Sequence, residues 1–545
     1  MSTRQPLTFK TANEDWEFEQ IHRLNYKTFV EEIPQHHASP THRLVDKFHA
    51  ENTYLICLAG KKLAGMLAVR GARPFSLDQK LENLDSYLPA GRTICEIRLL
   101  AIEKKFRGAQ VLQGILALLW QHGIEKGFDL AIISGTTRQF RLYQHLGFVP
   151  FGPTVGAGEA QFQPMYVTLE TFENTAREFL RSSPSRSFQP SAVNFLPGPV
   201  TVKREVRRAF EQAPESHRAD IFMKDFGAAR QILCELVRTR NVELFLGSGT
   251  LANDVIGGQL TLEAKRGIVL SNGEFGSRLI DQARRWRLDF DKIEFEWGQP
   301  FDLRAVRKAL EQTPAPGWLW CAHCETSTGV LNDLSTLKAL CDEFQVKLCL
   351  DCISSVGTMP VDLSGVHLAS CSSGKGLRSY PGISMVFHNH AVTPQPERLP
   401  RYLDLGYYSQ QQGVPFTFSS NLLHALHAAV KHVDWQKRFD EIIAHSDFLR
   451  ARLKELDFAL VGAHTQTSPA VVTIALPAEM NSLTIGGLIQ ESGYLVSYNS
   501  EYLRRKNWIQ ICLMGEITRE KVVSLLNAMT RVCFRRTRRP EPTKA

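Results

Sequence analysis

Apolar residues recur along this chain in two rhythms. Short unbroken runs read as buried strands, and stretches with apolar positions at i, i+3 and i+4 read as helices. In the first 180 residues the two are mixed: residues 54–59 and 63–69 flank Gly60-Lys-Lys62 and predict a hairpin, 112–123 has helical spacing, and 130–134 is a buried strand. Farther along, residues 242–246, 267–270, 317–322, 346–350 and 383–387 are strand-like, each separated from the next by a helix and its loops. That alternation predicts an α/β fold with a mostly parallel sheet covered by helices on both faces. From Lys431 a helix comes first and short strands follow at 470–474 and 508–512, which predicts a smaller α+β domain.

One break interrupts the pattern. Arg181-Ser-Ser-Pro-Ser-Arg-Ser-Phe-Gln-Pro-Ser191 has no apolar period and reads as an exposed linker. The expected layout is a first domain over 1–180, a linker over 181–192, a large domain over 193–430, a small one over 431–532 and a basic tail over 533–545. At 545 residues, 43% apolar and 22% charged, the chain matches soluble globular proteins and is neither disordered nor fibrous. The net charge of +8 is partly carried by Arg535-Arg-Thr-Arg-Arg539, which reads as a solvated end rather than a nucleic-acid site. No apolar run approaches the ~20 residues of a membrane span. Met1 to Glu14 is polar and carries acids, unlike a secretory signal or a transit peptide. Eleven cysteines over this length do not form a disulfide scaffold, and the expected compartment is the cytoplasm.

Candidate chemistry gathers at strand ends, where open α/β sheets hold ligands. Gly247-Ser-Gly-Thr250 follows a strand and opens a helix, so its backbone N–H groups, hydroxyls and helix dipole suit a phosphate. Asp351 emerges from an apolar strand. Lys375 stands among small residues in Ser372-Ser-Gly-Lys375, where desolvation lowers a lysine's pKa and favours Schiff-base chemistry. Each has a structural alternative: a Gly-rich turn, a helix cap, a surface lysine. Their order, phosphate loop then aspartate then lysine, is that of a pyridoxal 5'-phosphate site.

At these residues the chain resembles the class V aminotransferases of PLP fold type I. The words carrying the resemblance are Phe195-Leu-Pro-Gly-Pro-Val-Thr201, Ser216-His-Arg218, Gly247-Ser-Gly-Thr-Leu-Ala-Asn253, Ser271-Asn-Gly-Glu-Phe-Gly-Ser-Arg278, Glu325-Thr-Ser-Thr-Gly-Val-Leu-Asn332, Asp351-Cys-Ile-Ser-Ser-Val-Gly357, Gly374-Lys375 and Pro415-Phe-Thr417. The resemblance implies that Lys375 binds the cofactor covalently and that Asp351 pairs with its pyridinium nitrogen. It also implies that Ser248, Gly249 and Thr250 hold the phosphate, joined by Thr417 from the partner in a homodimer. Phe275 would stack on the ring, Thr326 would contact its oxygen, and Ser373, beside the lysine, would join the cofactor-binding residues.

Cys321-x-x-Cys324 and Cys349-x-x-Cys352 mimic zinc-ribbon spacing, but residues i and i+3 of a strand point to opposite faces, so no metal is expected. Relatives carry, in a late strand, an arginine that clamps the substrate carboxylate. Here Trp508-Ile-Gln-Ile-Cys-Leu-Met-Gly515 puts Gln510 at that position. Either Arg218, Arg504 or Arg505 supplies the charge, with Arg218 first, or the substrate is not an ordinary α-amino acid.

The first domain resembles the GNAT acyltransferase fold in Glu96-Ile-Arg-Leu-Leu-Ala101, Phe106-Arg-Gly-Ala-Gln-Val-Leu112 and Leu142-Tyr-Gln-His-Leu-Gly-Phe148. This implies Tyr143 as the acid toward a departing thiolate, Glu96 as general base, and acetyl-CoA or another acyl thioester as donor. Arg107-Gly-Ala-Gln-Val-Leu112 departs from the usual Gly-rich pyrophosphate loop. Arg23-Leu-Asn-Tyr-Lys-Thr-Phe-Val-Glu-Glu32 is similar to the acyl-homoserine-lactone synthase branch, which implies an acyl carrier protein as partner.

Three functions stay open at this point. One is a PLP-dependent aminotransferase fused to an N-acyltransferase acting on small molecules. The second keeps the cofactor for elimination, replacement or annulation, for example on S-adenosylmethionine. The third makes the first domain a non-catalytic docking module.

Overall fold

The computed structural model describes residues 7–33, 37–136, 139–155, 161–169, 171–172, 192–313, 316–462 and 466–534, so linker residues 181–191 and the tail from Arg535 lie outside the described residues. Two compact units divide the chain, residues 1–193 and 194–545.

The first unit contains β1 (Leu7–Thr11), α1 (Asp15–Tyr26), β2 (Thr53–Ala59), β3 (Lys62–Arg70), β4 (Ile94–Ile102), α2 (Ala109–Lys126), β5 (Leu130–Thr136), α3 (Phe140–His145), β6 (Val149–Pro150) and β7 (Phe162–Thr168). Its sheet runs β1-β2-β3-β4-β5-β7-β6. The expected hairpin is β2–β3, turned by Gly60 at φ +61°. Alternate strand residues serve the two faces. Leu55, Cys57, Leu67 and Val69 pack on Val111, Ile115 and Leu119 of α2. The other face carries two separate clusters. Tyr54, Ile56, Met66 and Ala68 meet Ile21 and Leu24 of α1, whereas Phe75, Leu77 and Leu81 meet Leu130 and Ile132.

The second unit contains α4 (Asp220–Val237), β8 (Asn241–Gly247), α5 (Gly249–Leu260), β9 (Gly267–Ser271), α6 (Glu274–Arg285), β10 (Phe290–Glu294), β11 (Trp318–Ala322), β12 (Lys347–Asp351), β13 (Leu368–Ser372) and β14 (Gly382–His388). The sheet order is β10-β9-β11-β12-β13-β14-β8. Neighbours are parallel except β14, which runs antiparallel to both β13 and β8. Leu244, Leu319 and Leu350 enter one apolar cluster, and Phe245, Val269, Trp320 and Cys349 the other, so both faces are covered. Cys321 and Cys349 thus belong to opposite faces of the sheet. Sequence reading passed over β10 and β13. The first is Phe-Asp-Lys-Ile-Glu, a charged edge strand, and the second is Leu-Ala-Ser-Cys-Ser, whose small polar residues carry little strand signal.

The helix-first pattern after Lys431 is α7 (Trp435–Glu455), followed by β15 (Ala459–Leu460), β16 (Val471–Ala475), α8 (Glu501–Lys506) and β17 (Trp508–Cys512), in a sheet ordered β15-β16-β17. Thr473 on β16 stands directly opposite Gln510 on β17. No helix among the described residues is long and apolar enough to cross a membrane.

Candidate active site

The parallel strands of the second unit end along one edge, and the chemistry-bearing segments leave from it. β8 ends at Gly247, which pairs with Gly382 at the start of β14, so the phosphate-type turn and the lysine loop are neighbours in register. Ser248 caps α5 in an extended conformation. Ser248 and Thr250 are exposed, while Gly249 is buried against Ile353, whose Cδ1 would lie 2.6 Å from any added Cβ. The first turn of α5 presents N–H groups and the positive end of its dipole, an arrangement suited to an anion.

Asp351 closes β12 and is 7% exposed. Asn253 Nδ2 donates to its Oδ2 at 2.8 Å and the Ile353 N–H to its Oδ1 at 2.9 Å. Ser370 in turn donates to Asn253 Oδ1 at 2.6 Å. Burial pushes the Asp351 carboxyl above the usual carboxylate range, opposed by Asn253, Ile353 and Lys375.

Lys375 lies in the connection from β13 to β14. Its Nζ donates to Ser354 Oγ at 3.1 Å and stands 5.4 Å from the Phe275 ring centroid. Burial lowers its pKa, with Asp351 pulling the other way. Ser354 Oγ also hydrogen-bonds Thr326 Oγ1, so lysine and both hydroxyls form one chain. Phe275 is held by the wholly buried Glu325, which accepts from the backbone N–H of Gly276 at 2.9 Å, of Ser327 at 3.0 Å and of Phe275 at 3.3 Å. A carboxylate at a helix N-terminus is favoured by the dipole, and it fixes where the aromatic side chain leaves α6. His323, beside this loop, hydrogen-bonds the Ser355 hydroxyl through Nδ1 at 3.0 Å, and burial pushes its pKa down to about 4.

The structure therefore brings Lys375, Asp351, Phe275 and Thr326 around one point, with the Ser248–Thr250 turn on the same sheet edge. Ser373 is wholly buried and stitches the lysine loop: its hydroxyl donates to Tyr380 O at 2.7 Å and accepts from Ile383 N at 3.2 Å. Thr417 is exposed, and so are Arg218, Arg504 and Arg505. Gln510 is 0% exposed. Its Nε2 donates to Thr326 O at 2.7 Å, Ser327 O at 3.0 Å and Thr473 Oγ1 at 2.8 Å, and its Oε1 accepts from Tyr502 at 2.9 Å. The amide thus ties β17 to the Thr326 loop, with both of its N–H groups engaged. Sequence reading gave no role to Asn253, Ser354, Ser370 or Tyr502. Asn253 had a signal: an asparagine four residues past Gly249 is unusual inside a helix and falls one turn behind the phosphate-type end.

In the first unit Glu96 is 0% exposed, and its oxygens accept from Ser76 N at 2.8 Å, Leu77 N at 3.3 Å and Ser76 Oγ. It anchors the start of the 77–79 turn. Tyr143 is half-buried on α3, donating to Gln139 at 3.0 Å, and burial raises its pKa. The departed pyrophosphate-type loop ends at Gly108, the N-cap of α2, and Arg107 is tied to Ile102 O at 3.0 Å and to Glu32. An apolar pocket lies between α2 and the sheet, lined by Cys95, Ile97, Leu119, Trp120, Phe128 and Phe148 among others.

Comparison with known proteins agrees with this geometry. The family model for aminotransferase class V matches residues 212–498, and that for N-acyl amino acid synthase FeeM matches residues 20–166. The chain is 31% identical over 301 residues to the soluble hydrogenase 42 kDa subunit of Anabaena cylindrica, covering 52% of this chain and 78% of that protein. It is 25% identical over 373 residues to 2-aminoethylphosphonate–pyruvate transaminase of Aeromonas hydrophila, covering 63% and 97%. Among solved structures, alanine–glyoxylate aminotransferase from Nostoc superposes with a TM-score of 0.58 at 25% identity, over 65% of this chain and 98% of that one.

Proposed function

The chain belongs to the class V aminotransferases, and from that premise we propose a two-part enzyme. Residues 193–532 transfer amino groups between small molecules with pyridoxal 5'-phosphate, and residues 1–180 N-acylate an amino acid from an acyl thioester. The observation that carries the first part is the meeting of Lys375, Ser354 and Thr326 with the Asp351–Asn253–Ser370 chain.

These residues suit the cofactor. The absent side chain of Gly249 lets Ile353 close on α5, whose first turn presents N–H groups suited to a phosphate, and a buried carboxylate with an oriented amide suits a pyridinium N–H. When bound, the cofactor withdraws electrons from the bond being broken at the substrate α-carbon. The chain supplies the rest. Ser248, Gly249 and Thr250 hold the phosphate, Asp351 keeps the proton on the ring nitrogen, and Phe275 and Thr326 fix the ring. The Lys375 amine, partly desolvated, would hold the cofactor and would carry a proton to and from the substrate α-carbon. The exposed Thr417 supports a homodimer in which it completes the phosphate site of the other copy. The FeeM match and the apolar pocket beside α2 support the acyl-transfer reading of the first domain, with an acyl-CoA or acyl carrier protein as donor.

Gln510 favours a second reading. With its amide held by four partners and no arginine there, an ordinary α-carboxylate lacks its usual clamp, and elimination or replacement on an activated amino acid remains consistent with the site. Product analysis separates the two. Purified enzyme is incubated with an amino donor and pyruvate or glyoxylate. Equal amounts of new oxo acid and new amino acid establish transfer, whereas a product released without consumption of the oxo-acid acceptor establishes elimination or replacement.

A further inference from the structure

Ser354 is not all that keeps Lys375 in place. The loop that carries the lysine is closed on itself: the Ser373 N–H donates to Ile383 O at 2.9 Å and the Ser379 N–H to Ser373 O at 3.0 Å. Within it the Arg378 N–H donates to Lys375 O at 2.9 Å, which makes one tight turn with the lysine at its start. Gly376, next to the lysine, lays its backbone on Val356 and Gly357, and an added Cβ would collide with Val356 O. That contact sets the turn against the segment that bears Ser354.

Two arginines tie the same turn to the C-terminal part of the chain. Arg378 reaches out of it to the segment after β17, where its Nε donates to Met514 O at 2.9 Å and its Nη1 to Glu516 Oε1 at 2.6 Å. Arg438 reaches into it from the first turn of α7, and its Nη2 donates to the Gly376 carbonyl. The Arg438 guanidinium also lies 5.1 Å from the Trp435 ring centroid. A further contact comes from the helix over 204–210, whose Phe210 ring meets that of Tyr380 at 4.4 Å.

Both arginines stand where an arginine is costly. Arg378 has φ +59°, in the left-handed region that favours glycine. Arg438 is 6% exposed and its Nε has no partner. The two guanidiniums repel one another, and Glu516 and Glu441 offset that repulsion. A strained backbone and a buried charge persist where the surrounding structure requires them. The bonds of the two side chains reach none of Asp351, Phe275, Thr326 or Ser354, so what they serve is the turn.

We infer that Arg378 and Arg438 are positioning residues for Lys375: they tie its turn to α7 and to the segment after β17, and so keep the amine out of water beside Ser354. The inference rests on the reading of Lys375 as the reactive amine of the second unit. Desolvation disfavours an ammonium, so a turn that drifts outward returns the lysine toward its ordinary value. The charged and titratable groups facing the amine are Asp351, Arg278 and the Cys324 and Cys512 thiols, and the two arginines bond to none of them.

The test is acetylation of the full-length protein, freed of cofactor, from about pH 6 to about pH 11, a range that spans the lysine titration. Peptide mass analysis reads the fraction modified at Lys375, with the exposed Lys308 as internal reference. The parent's Lys375 should titrate below the ordinary value of 10.5. Arg378→Lys keeps the charge but not both bonds, and at a given pH it should show at least threefold more ammonium per amine at Lys375. Glu516→Ala removes an anion, which by charge alone would lower the midpoint. Because it also frees Arg378, the midpoint should rise instead. Arg438→Gln should raise it as well, and if that variant does not fold the other two decide. The inference is overturned if Arg378→Lys leaves the midpoint in place, if Glu516→Ala lowers it, or if Lys308 shifts as far. Midpoints that separate as expected, in a protein whose Lys375 takes up no cofactor on borohydride reduction, uphold the positioning role and defeat the cofactor reading.

Discussion

An amine becomes a nucleophile when its surroundings disfavour the ammonium, and Lys375 is so placed, with burial lowering its pKa and one hydroxyl, Ser354, holding it. Lys375→Ala removes covalent chemistry rather than packing. Borohydride reduction followed by peptide mass analysis should find the cofactor mass on residue 375 of the parent and nowhere in the variant, at unchanged circular dichroism. Cofactor fixed to another residue of the parent would refute the assignment. His323 carries a pH signature. Its pKa is depressed to about 4 by burial, so the neutral form contributes stability above about pH 6.5 that is lost as pH falls through about 4. A fall from 6.5 to about 4 makes this one group worth about 3 kcal/mol. The melting temperature of His323→Gln should therefore fall less steeply than that of the parent between pH 6.5 and 4. Parallel curves would remove His323 as a source of acid sensitivity.

At the scale of elements, β17 and the Thr326 loop are joined by one side chain, Gln510, with Tyr502 behind it. Gln510→Arg introduces a buried charge without a carboxylate partner and deprives the Tyr502 hydroxyl of its acceptor, at a cost of several kcal/mol. The expected outcome is a melting temperature lower by several degrees and no gain in kcat/KM for alanine, serine or glutamate. A tenfold gain, about 1.4 kcal/mol, would return the enzyme to the ordinary carboxylate clamp. The missing arginine at position 510 was legible from sequence because Trp508–Gly515 resembles the family's apolar-Arg-apolar-Gly strand. What Gln510 does instead was not, since its partners are backbone carbonyls of a loop 183 and 184 residues away. The same holds for Asn253 and Ser370, whose pairing depends on α5 crossing β13, a long-range contact with no local signature. The β-strands with strong apolar runs were readable, whereas β10 and β13 were not, because charge at an edge and small residues in a centre weaken the period.

At the scale of the molecule, the described contacts of Lys375, Asp351, Phe275 and Thr326 that build the cofactor site join residues after 194, inside the second unit. A chain of residues 193–545 should accordingly fold and bind the cofactor on Lys375 with the parent's absorbance. Failure to bind it would mean that the first unit is needed to complete the site. The Ser/Pro/Arg-rich break at 181–191 lies just before the boundary between the two units at 193 and 194, and the layout of the larger one was legible in its βα rhythm. What the rhythm did not reveal is that β14 runs against its neighbours.

That reversal ties inheritance to geometry. Because β14 is antiparallel, the loop carrying Lys375 leaves β13 at Ser372 and returns at Gly382 on the same edge, with Ser372 opposite Ser384 and Gly382 opposite Gly247. No crossover helix stands between them to absorb a change in length. A codon lost or gained within 373–388 would slide β14 by one position, turn Met385 and Phe387 out of their cluster, and carry the lysine away from Asp351 in the same step. Descendants of this chain are therefore held to the length of this stretch as strictly as to Lys375 itself.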